Sequence, residues 1–132
     1  MAEVTAELTE AAWAAFGSGD RSEIEKYWAE DLRWLVPGRN PLSGWKESLD
    51  EFLDFSRQTA ELSANSFNMQ TIATMASDEY SANITYNSGS RPDGRRLSID
   101  VVHAFRWRDG KIVEAKGAIF GDGAAQFDEF WA

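Results

Sequence analysis

Residues 96–113, RLSIDVVHAFRWRDGKIV, carry the pattern that decides the fold. Apolar and polar residues alternate through most of this stretch, and the apolar pattern resumes after Asp109-Gly110. Asp-Gly between two such runs is typical of a type I′ turn, because both turn positions need a positive φ. The stretch therefore predicts two antiparallel strands, over 96–107 and 111–120, joined by a tight hairpin.

Three further strands are expected before this hairpin. Alternating apolar and polar residues predict strands over 64–76 and 79–88. Residues 32–36 are too short and too β-prone for a helix, and the turn pair Pro37-Gly38 follows them. The second half of the chain is therefore expected to be mostly sheet.

Apolar residues at helical spacing predict three helices in the first half and a short terminal helix. The first is expected to end at Gly17 and Gly19, which are typical stop signals. The second begins with Asp20 as N-cap and runs through Tyr27 and Trp28. Two apolar faces predict the other helices: Trp45, Leu49, Phe52, Leu53, Ser56 and Ala60, and then Phe127, Phe130 and Trp131 after an N-cap at Asp122.

Helices followed by a run of antiparallel strands indicate an α+β domain, with the helices on one face of a curved antiparallel or mixed sheet. The length of 132 residues fits a single domain, residues 1–132. Space left between the helices and the concave face would form a ligand cavity. The convex face would be free to pair with a second subunit.

The composition excludes several classes of site and partner. The chain has no cysteine and one histidine, so we expect no disulfide, no thiol nucleophile, no metal site of the usual kind and no cofactor. A net charge of −9 disfavours nucleic acid and anionic membrane surfaces. The first residues lack a signal-peptide pattern, and no stretch reaches the roughly 20 apolar residues of a membrane span, so a cytoplasmic protein is expected.

His103 is the polar residue with the most unusual predicted position. It shares one strand face with apolar residues that should line the interior, namely Ile99, Val101, Phe105 and Trp107. Asp100 points to the opposite face, so a His–Asp dyad within this strand is not expected. Two interpretations stay open: a core histidine satisfied by neighbouring groups, or an imidazole that projects into the cavity and transfers protons.

Aromatic residues suggest what the cavity would bind. Six tryptophans in a chain of this size are more than a plain core usually holds, and wide aromatic surfaces suit flat, apolar ligands. On the strand over 79–88, one face carries Ser81, Asn83, Thr85 and Asn87, and the other carries Tyr80, Ala82, Ile84 and Tyr86. The sequence leaves open which of these faces is concave.

Several strings resemble the SnoaL-like branch of the nuclear transport factor 2-like superfamily. They are YWAED (27–31), WLVPG (34–38), VHAFRWRDGKIVE (102–114) and FDEFW (127–131). The resemblance spans nearly the whole chain and implies a cone-shaped, cystatin-like fold. It also implies a homodimer joined through the outer sheet face. The superfamily includes isomerases, polyketide cyclases, epoxide hydrolases and binding proteins without catalysis, so the fold alone does not select a function.

The resemblance assigns most known catalytic positions to residues that cannot perform the reaction. The isomerase-like base corresponds to Val36 and the isomerase-like tyrosine to Ala12. The acid of the last strand in cyclases and epoxide hydrolases corresponds to Gly117, and the Arg/Asp pair of the epoxide hydrolases falls near Asn83 and Thr85. The pocket-facing acid that precedes Phe-Arg corresponds to His103. A β-bulge near Gly117 could instead bring Lys116 or Asp122 to the cavity mouth.

The sequence thus supports three hypotheses, and in the first two the cavity binds a small apolar or polycyclic molecule. The first is an enzyme of the cyclase or isomerase type, in which His103 transfers a proton or polarises a carbonyl. The second is a binding protein without catalysis. The third is a filled core whose dimer surface is functional. The expected ligand-binding residues are Trp13, Tyr27, Trp34, Trp45, Asn83, Phe105 and Trp107.

Overall fold

A computed structural model describes residues 3–132, which form a six-stranded sheet and four α-helices. In chain order the elements are α1 (Ala6–Ala15), a 3₁₀ turn (Phe16–Ser18), α2 (Arg21–Ile24), β1 (Trp28–Val36), β2 (Gly44–Lys46), α3 (Leu49–Leu62), β3 (Asn68–Ala76), β4 (Tyr80–Ser90), β5 (Arg96–Arg108), β6 (Lys111–Ile119) and α4 (Gly123–Trp131). The strands lie in the order β2-β1-β6-β5-β4-β3. The pairing of β1 with β6 is parallel and the other pairings are antiparallel, so the sheet is mixed, and it is curved. The α+β fold class predicted from the sequence is confirmed.

The hairpin at Asp109-Gly110 is confirmed as predicted. Asp109 has a φ of 52° and Gly110 a φ of 80°, which is the combination that a type I′ turn requires. The register shift between β5 and β6 lies beside this hairpin, between Arg106 and Trp107. Farther along, His103 pairs directly with Gly117, so no bulge displaces the chain near Gly117.

The second helix is shorter than predicted. Asp20 is its N-cap and accepts a hydrogen bond from the backbone N–H of Ser22, as expected, but α2 ends at Ile24. The backbone carbonyl of Tyr27 already accepts a hydrogen bond from Ile112 N–H on β6, and Trp28 begins β1. The prediction that the helix includes Tyr27 and Trp28 was wrong because pairing with β6 outweighs the local helical pattern.

The third helix begins later than predicted, and Trp45 lies outside it. Trp45 belongs to β2, where it pairs with Leu35 of β1. Ser48 is the N-cap of α3, and its hydroxyl accepts a hydrogen bond from Glu51 N–H. A serine followed three residues later by a glutamate is a helix-start signature, so a start at Ser48 was predictable from the sequence.

The strand predicted over 64–76 begins only at Asn68. Ala64 and Asn65 both have positive φ, 51° and 63°, and these two residues end α3. The terminal helix is present, and Asp122 stands at its N-cap position without a side-chain capping bond. None of the helices described over residues 3–132 is long and apolar enough to cross a membrane.

The polar face of β4 is the concave one. Ser81, Asn83, Thr85 and Asn87 are all buried, whereas Tyr80 is 54% exposed. On β5 the residues Ile99, Val101, His103, Phe105 and Trp107 are buried beside them. The structure thus resolves the open question of the strand over 79–88: hydrogen-bonding groups, and not tyrosines, face the interior.

Candidate functional site

A cavity of about 390 Å³ lies between the concave face of the sheet and the helices. Pockets that bind small molecules typically have volumes of about 300–1,000 Å³. Side chains from β1, β3, β4 and β5 line it on the sheet side, and those of α3, α4 and the 3₁₀ turn complete it. The lining residues are mainly apolar: Phe16, Gly17, Trp34, Val36, Pro37, Phe52, Phe55, Ser56, Thr59, Ala60, Asn65, Phe67, Met69, Asn87, Val101, His103 and Phe127.

His103 lines this cavity and is only 5% exposed. Its Nδ1 lies 3.0 Å from Oδ1 of Asn83, the residue directly opposite on β4. An amide oxygen only accepts hydrogen bonds, so Nδ1 must carry the hydrogen in this arrangement. The other ring nitrogen, Nε2, is then an acceptor, and no hydrogen-bond partner for it is present among residues 3–132.

Burial keeps the imidazole neutral. Desolvation lowers the pKa of His103 from its ordinary value of 6.5 to about 4. A charged imidazole loses its hydration when it is moved into an apolar site, so the neutral form is favoured. At neutral pH the group therefore offers a lone pair to the cavity, and it could accept a hydrogen bond or a proton there.

Aromatic rings surround the imidazole and hold it in place. Trp13 lies 4.9 Å from His103 between ring centroids, and Phe105 lies parallel to it at 6.3 Å. Trp34, which lines the cavity, stacks on Phe52 at 3.9 Å. Large aromatic groups in such contact contribute about 0.5–1.5 kcal/mol per pair beyond their buried area. The site is therefore built from rigid, flat surfaces.

Asn87 is another buried polar residue of the cavity, with an exposure of 3%, whereas the buried Thr59 already donates its hydroxyl hydrogen to the Ser56 carbonyl at 2.7 Å. Its Oδ1 accepts a hydrogen bond from the hydroxyl of Thr85 at 2.7 Å. This contact fixes the amide so that Nδ2, a donor, is the remaining polar atom. Within the described residues Nδ2 has no hydrogen-bond partner. On its sheet side, within the described residues, the cavity thus presents one unpaired acceptor, Nε2 of His103, and one unpaired donor, Nδ2 of Asn87.

The predicted site residues separate into three groups. Trp34 and His103 line the cavity. Trp13, Asn83 and Phe105 lie outside its lining but contact His103 and set its position.

The third group lies apart from the cavity. Trp45 stacks under the guanidinium of Arg33 at 4.2 Å, at the edge of the sheet. Trp107 donates its indole hydrogen to Ser81 at 2.8 Å, four residues along β5 from His103. Tyr27 is half-buried against the core. The structure does not bring these three side chains into the cavity.

Several lining residues were not predicted as part of the site. Val101 lies two residues before His103 on the same strand face, so the alternation of β5 was a usable signal. Asn87 belonged to the polar face of β4, whose direction the sequence left open. Other lining residues come from elements distant in sequence, among them Phe52, Phe55, Phe67, Met69 and Phe127. The sequence placed Phe52 and Phe127 on apolar helix faces, but it did not indicate that these faces line a cavity.

The positions at which the family resemblance implied catalytic residues carry no charged side chain in the cavity. Val36 lines it, and Gly117 lies opposite His103, where an added Cβ would be 3.6 Å from the imidazole. Lys116 and Asp122 are exposed and do not line the cavity, so the bulge that would have brought them to its mouth is absent. Over residues 3–132 no cluster of three or more histidine, aspartate and glutamate residues could hold a metal ion.

Comparison with known proteins identifies the relatives of the chain. A family model described as SnoaL-like domain matches residues 9–115. No curated protein sequence matches the chain.

Solved structures share the whole architecture. Bal32a from a soil-derived mobile gene cassette is 23% identical, with 96% of this chain and 95% of that one covered and a TM-score of 0.87. A protein of unknown function with a cystatin-like fold from Xanthomonas campestris is 25% identical, with 96% of both chains covered and a TM-score of 0.83. IdmH from Streptomyces antibioticus, which is proposed to be a polyketide cyclase, is 18% identical over 92% and 96% of the chains, with a TM-score of 0.70.

Proposed function

Because the chain belongs to the SnoaL-like domain family, we propose that it is a cofactor-independent enzyme of the cyclase or isomerase type. Its substrate is a small, largely apolar molecule held in the 390 Å³ cavity. The observation that carries this proposal is the neutral imidazole of His103, which has a free Nε2 and is the only titratable side chain among the cavity-lining residues described. A polyketide-cyclase proposal for one structural relative is consistent with this reaction class.

The tautomer of His103 favours proton transfer over carbonyl polarisation. With its hydrogen on Nδ1, the ring has no N–H to donate through Nε2. We propose that Nε2 takes a proton from an O–H or an acidic C–H of the substrate and returns it to another atom of the same molecule. The product is then an isomer or a ring-closed form of the substrate, and no atom is gained or lost.

Asn83 acts in this mechanism as a positioning residue. Its Oδ1 holds the Nδ1 hydrogen, and it would stabilise the imidazolium that forms when Nε2 takes a proton. Because desolvation lowers the pKa of His103 to about 4, the base suits only comparatively acidic protons, such as those of enols, phenols or carbons between two carbonyls.

The proposal is tested by hydrogen exchange in heavy water. Polycyclic ketones and polyenes are first screened for ligands that raise the melting temperature in a concentration-dependent manner, which establishes binding by linkage. A bound ligand is then incubated with the protein in D₂O, and its deuterium content is measured by mass spectrometry. We expect the native protein to catalyse exchange and His103→Gln to bind without exchange. Equal exchange by both proteins would reject His103 as the base.

A second candidate function is ligand binding without catalysis. It is favoured by the uncharged cavity: none of its seventeen lining residues is Asp, Glu, Lys or Arg. Many proton-transfer enzymes pair their base with a second acid or an oxyanion donor, and here the described lining residues offer no second acid and only neutral donors such as the Asn87 amide. Concentration-dependent stabilisation by a ligand, with no deuterium exchange in it, would support this function over catalysis.

We also propose that the chain forms a homodimer through the convex face of the sheet, as the family resemblance implies. This face pairs Ala82 and Ile84 of β4 with Ala104 and Val102 of β5. Asp100 and Arg106 lie on the same face of β5. The small and apolar side chains at these paired positions form a patch that suits contact with an identical surface. If no ligand bound the cavity, the dimer surface would be the functional part of the molecule.

A further inference from the structure

We infer that the ligand of the cavity carries a hydroxyl group at one end and an acceptor oxygen at the other. The hydroxyl donates to Nε2 of His103, and the oxygen accepts from Nδ2 of Asn87. This inference rests on the proposed function of the cavity as a small-molecule site, and it names the chemical class of that molecule.

The hydroxyl end follows from the contact between His103 and Asn83. The Nδ1–H of His103 already donates to the amide oxygen of Asn83, which does not line the cavity. Nε2 is therefore the ring nitrogen that a ligand can reach. A neutral nitrogen with a lone pair binds an O–H or N–H and gains nothing from a carbonyl or an ether. Because a bound ligand would shield this nitrogen from water, a ligand without a donor would leave it unpaired at a cost in affinity.

The acceptor end follows from the contact between Thr85 and Asn87. The Thr85 hydroxyl donates to Oδ1 of Asn87 at 2.7 Å, and both residues are buried. If the amide were reversed, the Thr85 hydroxyl would act as acceptor and its own hydrogen, at a fully buried residue, would have no other acceptor among the described residues, so the present orientation of the Asn87 amide is favoured. Its Nδ2 therefore remains a donor, which fits a carbonyl, quinone or ether oxygen.

The spacing of the two groups sets the length of the ligand. Asn83 is paired with His103 across the sheet, and Asn87 lies four residues farther along β4. At about 3.3 Å per residue, the two positions are roughly 13 Å apart along the strand. The side chains reach into the cavity between them, and Trp34 and Val101 line its apolar middle. A flat core of two aromatic rings spans such a distance.

Three biphenyls test this inference. The full probe has a para hydroxyl on one ring and a para acetyl on the other, and two matched probes lack either the hydroxyl or the acetyl. Dissociation constants are measured by isothermal titration calorimetry. We expect the full probe to bind about tenfold more tightly than each matched probe, which corresponds to one buried hydrogen bond per polar end.

Two protein variants assign each end of the probe to its residue. In Thr85→Val/Asn87→Leu the acetyl group should lose its tenfold advantage, while Thr85→Val alone, which keeps the amide, should retain most of it. The pair differ only at position 87, so the comparison isolates the donor. At the other end, ¹⁵N spectra of the single imidazole should show an Nε2 shift with both hydroxyl-bearing probes and none with the acetyl-only probe.

The outcomes separate this inference from the proposed function. Equal binding of all three biphenyls to the native protein would overturn the inference and leave the cavity as an apolar binding site. Binding that depends on the acetyl group equally in both variants would also overturn it. If no biphenyl bound, the inference would fail together with the proposed small-molecule site.

Discussion

The Nδ1 atom of His103 lies 3.0 Å from Oδ1 of Asn83, and this contact joins two residues that face each other on neighbouring strands. It decides which nitrogen carries the hydrogen, and therefore what the cavity offers to a ligand. Neither residue alone would fix the tautomer. The pairing register of β4 and β5 thus determines which tautomer of His103 faces the cavity.

Replacing Asn83 by aspartate should raise the pKa of His103. Asn83→Asp places a carboxylate oxygen where the amide oxygen now accepts from Nδ1, and a nearby negative charge favours the imidazolium. The chain has one histidine, so a ¹⁵N or ¹H NMR titration follows this residue without ambiguity. We expect a pKa clearly above the native value of about 4. Asn83→Leu is the control, because it removes the bond without adding charge and should leave the pKa low.

The stability of the protein should fall as the pH is lowered from about 6.5 to about 4. The pKa of His103 is about 4 in the folded state and near 6.5 when the chain unfolds, so the unfolded state binds the proton first. The stabilising contribution is complete above pH 6.5, and a loss of about 3 kcal/mol accumulates by pH 4, at 1.36 kcal/mol per pKa unit. Urea unfolding of the native protein and His103→Gln at several pH values measures it. The difference between their unfolding free energies should depend on pH in this window, and a constant difference would contradict the prediction.

Gly38→Ala should destabilise the fold. Gly38 has a φ of 93°, where side chains are strained, and an added Cβ would overlap Oδ1 of Asp128. That oxygen accepts hydrogen bonds from Arg39 N–H and from the Asn40 amide, both at 2.8 Å, and so links the loop after β1 to α4. We expect a loss of about 1–3 kcal/mol from strain and broken hydrogen bonds.

Gly17→Ala is the matched control for that substitution. Gly17 has no positive φ, and nothing lies within 4 Å of an added Cβ. Its effect on the urea midpoint should therefore be small. An equal loss of stability in both variants would show that the strain at Gly38 and the contacts of Asp128 are not the cause.

Ala104→Glu should dissociate the proposed homodimer. Ala104 lies on the convex face of β5, and a carboxylate there would face its own symmetry mate or be buried in the interface. Light scattering after size exclusion should give twice the chain mass of 14.8 kDa for the native protein and a single chain mass for the variant. Ala124→Glu on α4 is the control, since it adds the same charge at an exposed position away from that face. A native protein of single chain mass would refute the dimer.

The elements that the sequence predicted well are those with a strong local pattern. The alternation along β5 correctly placed His103 inside. Asp109-Gly110 correctly predicted the hairpin because the positive φ of both turn positions depends on those two residues alone. Trp28 and Trp45 were assigned to helices because their neighbours have helical spacing. Pairing with β6 and with β1 decides their conformation instead, and such pairing depends on residues far away in the chain.

The candidate site was predictable only in part, for a related reason. His103 and Trp34 could be proposed from one strand each, since burial of a strand face follows from its own alternation. The role of Asn87 depends on which face of β4 is concave and on the hydroxyl of Thr85, and both are set by the assembled sheet. The aromatic residues of α3 and α4 enter the cavity only through packing of those helices against it.

The concave face of β4 has each of its polar side chains engaged by one neighbour: Ser81 by Trp107, Asn83 by His103, and Thr85 and Asn87 by each other. A substitution at one member leaves the polar group of its companion without a hydrogen bond in an apolar interior. Replacing both members by apolar residues leaves no unpaired polar group. Homologues should accordingly vary at these sites two at a time, so that divergence of ligand preference within this lineage would proceed through coupled replacements.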